Sequence, residues 1–168
     1  MKRLNILLTI LFFALYSNSN AQEKEDKSFA NFEIIDARQN GEDITDSVLK
    51  EKYSYVFYKI PESDTVQFAY LSGLNDSQTY GPIYLVTKEI NTNNARKEEV
   101  IVYNFFWSYN YTQYIDKGTV KVKLLVAYKP QGKYFELHMK FENLEEYVFK
   151  GKMDGDLSFL DIQAGKTE

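Results

Sequence analysis

TVKVKLLVAYKPQGKYFELHMKFE, residues 119–142, is the stretch on which the fold turns. In its first half Val120, Val122, Leu124, Val126 and Tyr128 alternate with Thr119, Lys121, Lys123, Leu125 and Ala127. A period of two belongs to a strand, whose successive side chains point to opposite faces; a helix would scatter the lysines around its circumference. One face is therefore buried and the lysine face wet. In the second half Phe135, Leu137, Met139 and Phe141 alternate with Tyr134, Glu136, His138, Lys140 and Glu142. Between them KPQG sets Pro130 at the second turn position and Gly132 at the fourth, the places a type I turn prefers. The stretch predicts an antiparallel hairpin over residues 118–142.

The same writing extends in both directions. Segments rich in Val, Ile, Phe and Tyr predict strands near 30–38, 53–60, 65–71, 82–90, 98–107, 109–115 and 146–153. PESD, SGLNDSQ, NTNNARK, DKG and ENLEE separate them. One helix is expected, over TDSVLKEK at 45–52, with Thr45 or Asp46 as its N-cap. With no internal repeat and no second composition regime, the expectation is an all-β chain: a single antiparallel β-barrel or sandwich of about 8–9 strands with one short helix.

The N-terminus reads as an address. Lys2 and Arg3 precede an apolar run from Leu4 to Tyr16, and Ser19-Asn20-Ala21 offers small residues for cleavage, so residues 1–21 are expected to be a secretory signal peptide with cleavage near Ala21. Residues 22–28 follow as a polar lead and 29–168 as the single β domain. The apolar run is shorter than the roughly 20 residues of a spanning helix, so the expectation is an exported protein, periplasmic or secreted, without a membrane anchor. The chain has no cysteine, so an exported form must rely on burial rather than disulfides. The formal charge of -4 includes Lys2 and Arg3, which leaves -4 - 2 = -6 after cleavage. That balance argues against nucleic acid and other polyanionic partners.

FEIIDA at 32–37 leads through NGEDIT at 40–45 into a short helical turn and a run of hairpins. This order resembles the small exported lipocalin-like (calycin) barrels of Gram-negative bacteria. The resemblance implies a barrel with an interior ligand cavity. Lipocalins place a Gly-x-Trp on the first strand, whereas the single tryptophan here is Trp107.

Catalytic chemistry finds little support. No GxSxG, HExxH, GxxxxGK or GxGxxG is present, there is no cysteine nucleophile, and the single histidine, His138, falls on the polar side of its strand. His and Cys ligands for zinc are lacking. DGD at 154–156 reads as a glycine turn rather than a calcium loop. No cofactor, metal site or enzymatic activity is expected. Asp46-Ser47-Val48 and Asp64-Thr65-Val66 resemble the Asp-Ser/Thr-aliphatic acceptors of some bacterial O-glycosylation systems, which makes Ser47 and Thr65 candidate modification sites.

The candidate binding site is NFFWSYNYTQY, residues 104–114. In one strand Tyr103, Phe105, Trp107, Tyr109 and Tyr111 share a face, and Asn104, Phe106, Ser108 and Asn110 the other. From Val100 to Ile115 such a strand would run about 50 Å, so a break or strong bend is expected near Ser108–Asn110. Phe105 and Trp107 are expected in the core. Trp107, Tyr109, Tyr111 and Tyr114 offer flat apolar faces with polar tips, suited to a small amphipathic ligand or glycan, with Asn104 and Asn110 as orienting hydrogen-bonding groups. The alternative is a cell-envelope protein-interaction module without a small ligand.

Overall fold

The computed structural model describes residues 27–59, 65–73, 78–93, 98–111 and 116–165. The expected signal peptide, most of the polar lead and Tyr114 lie outside these residues. The strands are β1 (Lys27–Gln39), β2 (Glu42–Asp43), β3 (Tyr53–Lys59), β4 (Val66–Ser72), β5 (Gln78–Asn93), β6 (Glu98–Tyr111), β7 (Asp116–Lys129), β8 (Gly132–Phe141) and β9 (Glu146–Gly155). They pair antiparallel in the order β2-β1-β3-β4-β5-β6-β7-β8-β9, and β1 also pairs with β9. The sheet thus closes into an eight-stranded barrel with the two-residue β2 outside the ring, an architecture compatible with a lipocalin-like barrel.

The hairpin that opened the reading is present as β7 and β8. Their ladder runs from Val120 opposite Phe141 to Lys129 opposite Gly132, and Pro130-Gln131 makes the turn. Val120, Val122, Leu124 and Val126 are fully buried, and Phe135, Leu137 and Met139 face them across the ladder. Eight strands leave an interior that side chains can fill. Much of the filling is aromatic: Phe57 touches Phe32, Phe68 and Phe105, with centroids 5.7, 4.6 and 5.8 Å away.

The break expected near Ser108 does not occur. The β6–β7 ladder is continuous from Glu99 opposite Tyr128 to Tyr111 opposite Asp116, so the predicted 98–107 strand and residues 109–111 of the predicted 109–115 strand are one; residues 112–115 lie outside the described residues. Bulges in the partner strands accommodate the length instead. In β5 the register against β6 shifts between Tyr84 and Thr87, where Leu85 has φ 52°, and Ile83 and Val86 consequently both point inward. In β1 a shift between Ile34 and Asp36 likewise brings Ala37 into the core. Each bulge raises the local twist and lets a long strand wrap the barrel. Close approach of β5 to β6 also requires Gly81, because a Cβ there would lie 1.7 Å from the Ser108 carbonyl oxygen.

The first helix, α1 (Thr45–Lys50), lies beside β1 and β3 with Val48 buried. Neither Thr45 nor Asp46 caps it; Ile44 holds the N-cap position. The Thr45 hydroxyl instead accepts a hydrogen bond from the Ala37 amide at 3.0 Å and donates to the Ala37 carbonyl at 3.3 Å. A second helix that the sequence reading missed, α2 (Ser158–Ala164), follows β9 and seals one end of the barrel. Its Phe159 stacks on Phe29 at 4.9 Å and meets Phe57 at 5.2 Å, while Leu157 and Leu160 are buried. Ser47 is exposed on α1 and Thr65 exposed before β4.

Candidate functional site

The barrel end opposite α2 holds a cavity of about 350 Å³. Strand ends build it: Tyr55 from β3, Tyr70 from β4, Thr79 from β5, Trp107 and Tyr109 from β6, Met139 and Phe141 from β8, and Tyr147 and Phe149 from β9, with Asn143 and Glu145 on the β8–β9 turn. Period-two alternation carries Trp107 and Tyr109 inward from the same face as Phe105, and carries Tyr147 and Phe149 inward together from β9.

The rings form a circuit. Trp107 meets Tyr109 at 5.7 Å, Tyr109 meets Phe141 at 5.8 Å, Phe141 meets Tyr147 at 5.5 Å, and Tyr147 meets Phe149 at 6.0 Å. Phe149 meets Tyr55 at 5.1 Å, Tyr55 meets Phe68 at 5.3 Å, and Phe68 returns to Trp107 at 5.3 Å. Tyr70 meets Tyr55 at 4.9 Å and Tyr53 meets Tyr70 at 4.6 Å, each pair tilted by 32°, extending the belt toward the rim. Centroid spacings of 4.5–7 Å are those at which aromatic pairs attract, so the wall of the cavity is held by its own ring contacts.

Two polar features stand inside this wall. Trp107 is 1% exposed, and its indole Nε1 has no hydrogen-bond partner among the described residues. A buried N–H left unsatisfied costs about 1–3 kcal/mol, and such a group calls for an explanation. The Tyr147 phenol, in contrast, stands near the Glu145 carboxylate. Burial first, then the Glu145 charge, push this phenol above its ordinary pKa. Burial raises the Tyr55 phenol further, with Tyr70, Tyr147 and Tyr53 adding to the effect. The Tyr55 and Tyr147 phenols are thus held neutral. Glu145 is the single carboxylate among the described lining residues.

The structure therefore brings Trp107 and Tyr109 together at the cavity and separates the two asparagines from it. Asn104 projects from the outer wall, where it borders a groove with Lys121, Lys123 and His138, and Asn110 is exposed on that same outer face of β6. Neither asparagine lines the cavity, because both have the opposite strand parity from Trp107. The backbone of Tyr111 pairs with Thr79 and Asp116 at the end of β6. The polar groups that do line the cavity, Thr79, Asn143 and Glu145, come from β5 and the β8–β9 turn.

Other depressions are less organised. A groove of about 450 Å³ on the outer wall is bordered by Ile35, Val100, Leu125 and Ala127, with Lys129, Glu136 and Lys150 at its edges. It is the larger of the two, but it is a shallow furrow across strand faces and lacks the enclosing ring circuit of the barrel mouth. His138 sits on the outer wall and its Nε2 lies 2.7 Å from Glu136 Oε1, while Lys150 Nζ lies 3.2 Å from Glu136 Oε2. At the end of β9, Gly155 has φ 94° and Asp156 accepts hydrogen bonds from the Ser158 amide and hydroxyl, so DGD is a turn leading into α2. Comparison with family models, with curated proteins and with solved structures gives no match to this chain.

Proposed function

We propose that the protein is an exported binding module that takes a small amphipathic ligand or glycan into the aromatic cup at the open end of its barrel. The observation that carries this reading is the closed circuit of rings around a cavity lined by Trp107, Tyr109 and Tyr147, with Thr79, Asn143 and Glu145 as its polar groups. The cavity volume falls in the range of small-molecule sites, about 300–1,000 Å³, and the combination of apolar walls with a few polar groups is their usual chemistry. The reading keeps the resemblance to lipocalin-like barrels of Gram-negative bacteria, in which the barrel interior serves the ligand. An apolar interior and an outer wall bearing exposed Lys121, Lys123, Lys140 and Lys150 support a barrel in water, since a membrane barrel carries its apolar band outside.

A screen of glycans, fatty acids and neutral and charged amphiphiles against Trp107 fluorescence tests the proposal. At least one class is expected to shift the emission saturably, and Tyr109→Ala is expected to weaken that response. A flat response across all classes would overturn the reading. It would leave the second one, an envelope protein-interaction module, which the outer-wall groove bordered by exposed Ile35 and half-buried Leu125 favours.

A further inference from the structure

Resting on that reading of the cup, we infer that its ligand carries a positive charge: an organic ammonium group, seated among the rings near Glu145. The first ground is the charge of the lining. Among the described residues of the cavity wall there is one carboxylate, Glu145, and no lysine, arginine or histidine. A ligand with an anionic head, such as a fatty acid, would thus be brought beside a like charge with no cation to receive it, and burying an unpaired charge is costly.

The second ground is the wall itself. The face of an aromatic ring is the negative side of its quadrupole, and rings converging on one space attract a cation placed there. Here Tyr109, Phe141, Tyr147 and Tyr55 come from four different strands, and their neighbours in the circuit fix their positions. An alkylammonium group is large and weakly hydrated, so it gives up water for ring faces more readily than a small ion does. Glu145 is suited to join it. Its backbone is fixed by the Asn143 side chain, which accepts from the Glu145 amide at 3.1 Å, and its carboxylate lines the cavity beside Tyr147.

The nearest outer-wall ion pair does not alter this balance. Lys140 Nζ lies 2.6 Å from Glu146 Oε1 on the outside of β8 and β9. Its charge is compensated there rather than in the cup.

Three probes with the same twelve-carbon chain separate the possibilities: dodecyltrimethylammonium, dodecyl maltoside and dodecanoate, each titrated below its micelle concentration while Trp107 fluorescence is followed. The ammonium probe is expected to bind about tenfold or more tightly than the neutral one, and the carboxylate weakest. Glu145→Gln, a substitution at a half-exposed turn residue, is expected to remove most of that preference while leaving the affinity for dodecyl maltoside unchanged. Equal affinity for the ammonium and maltoside probes, or preference for dodecanoate, would overturn the charge assignment and leave the binding module standing. Failure of all three to bind would overturn both. A preference for ammonium that survives Glu145→Gln would also overturn the assigned role of that carboxylate.

Discussion

The two ends of this barrel are built from the same strands and the same residue types, yet one is sealed and the other is hollow. At the sealed end the α2 side chains Phe159 and Leu160 fill the barrel mouth. Asp161 fastens the helix: its Oδ1 accepts from the Tyr103 hydroxyl at 2.8 Å and lies 2.8 Å from Lys88 Nζ. At the hollow end there is no such plug among the described residues, and α1 lies beside the rim. Tyr103 and Trp107 stand on one face of β6 only four residues, about 13 Å, apart. The buried polar tip of the first is satisfied by an aspartate, whereas that of the second has no partner. Aromatic residues in a strand thus serve as core or as site according to what the neighbouring elements bring to their polar tips.

Several substitutions would break or sharpen this contrast. The largest effect belongs to the shared middle of the barrel. Val122→Lys places a charge at a fully buried position and should cost more than about 4 kcal/mol, while Lys121→Val on the wet face should stay within about 0.5 kcal/mol. Equal shifts in melting temperature would show the inward and outward faces to be misassigned. Next, Phe105→Ala, in contact with Phe57 and Phe68 and 2% exposed, should cost about 3–5 kcal/mol, and Leu160→Ala in the plug about 2–5 kcal/mol. Chemical denaturation would measure both.

Alkali should act on both ends through their phenols. Burial raises Tyr103, with the Asp161 hydrogen bond and charge adding to the effect, and burial likewise raises Tyr55. A group whose folded pKa is raised contributes stability fully present below its unfolded value, here the ordinary 10.0, and loses it as pH rises toward the folded value. Two such phenols should remove about 2–3 kcal/mol over the first pH unit above that point. Tyrosinate absorbance that appears only together with unfolding would agree; full ionisation of all tyrosines in the folded protein near pH 10 would not.

The smallest effects on folding separate the ends most clearly. Asp161→Asn weakens the fastening of the plug and should cost about 1 kcal/mol, because its partners are partly solvated. Tyr147→Ala at the cup should likewise cost about 1–2 kcal/mol, as a half-buried ring does, yet it should abolish ligand response where Asp161→Asn leaves it intact. Thermal unfolding alongside fluorescence titration of both variants checks the pair.

The strands were legible because alternation is local. Val120 to Val126 and Phe135 to Phe141 carry their orientation within a few residues, and the structure pairs them across Pro130-Gln131. Trp107 was legible as an inward residue for the same reason, whereas Tyr109 was expected beyond a bend and instead follows it inward on one continuous strand. The rest of the cup was not, since Tyr55, Tyr70, Phe141, Tyr147 and Phe149 are scattered over four strands and only barrel closure, β1 against β9, brings their ends together. The signal that could have located them is their position near strand ends that alternate up and down toward one rim. The supposed break at Ser108 came from strand length alone and ignored bulges in the partner strands, such as that at Leu85. The missed helix α2 had short marks: Asp156 and Ser158 at its start, adjacent Phe159 and Leu160, and Gly165 at its end.

The central claim is one of place, that the hollow end and no other surface receives the ligand. A crystal structure with an alkyltrimethylarsonium, whose arsenic stands in for the ammonium nitrogen and is read by its anomalous signal, tests it directly. The arsenic peak is expected inside the cavity bounded by Trp107, Tyr109 and Tyr147. A peak in the outer groove beside Ile35 and Leu125, or an empty cup at saturating amphiphile, would contradict it.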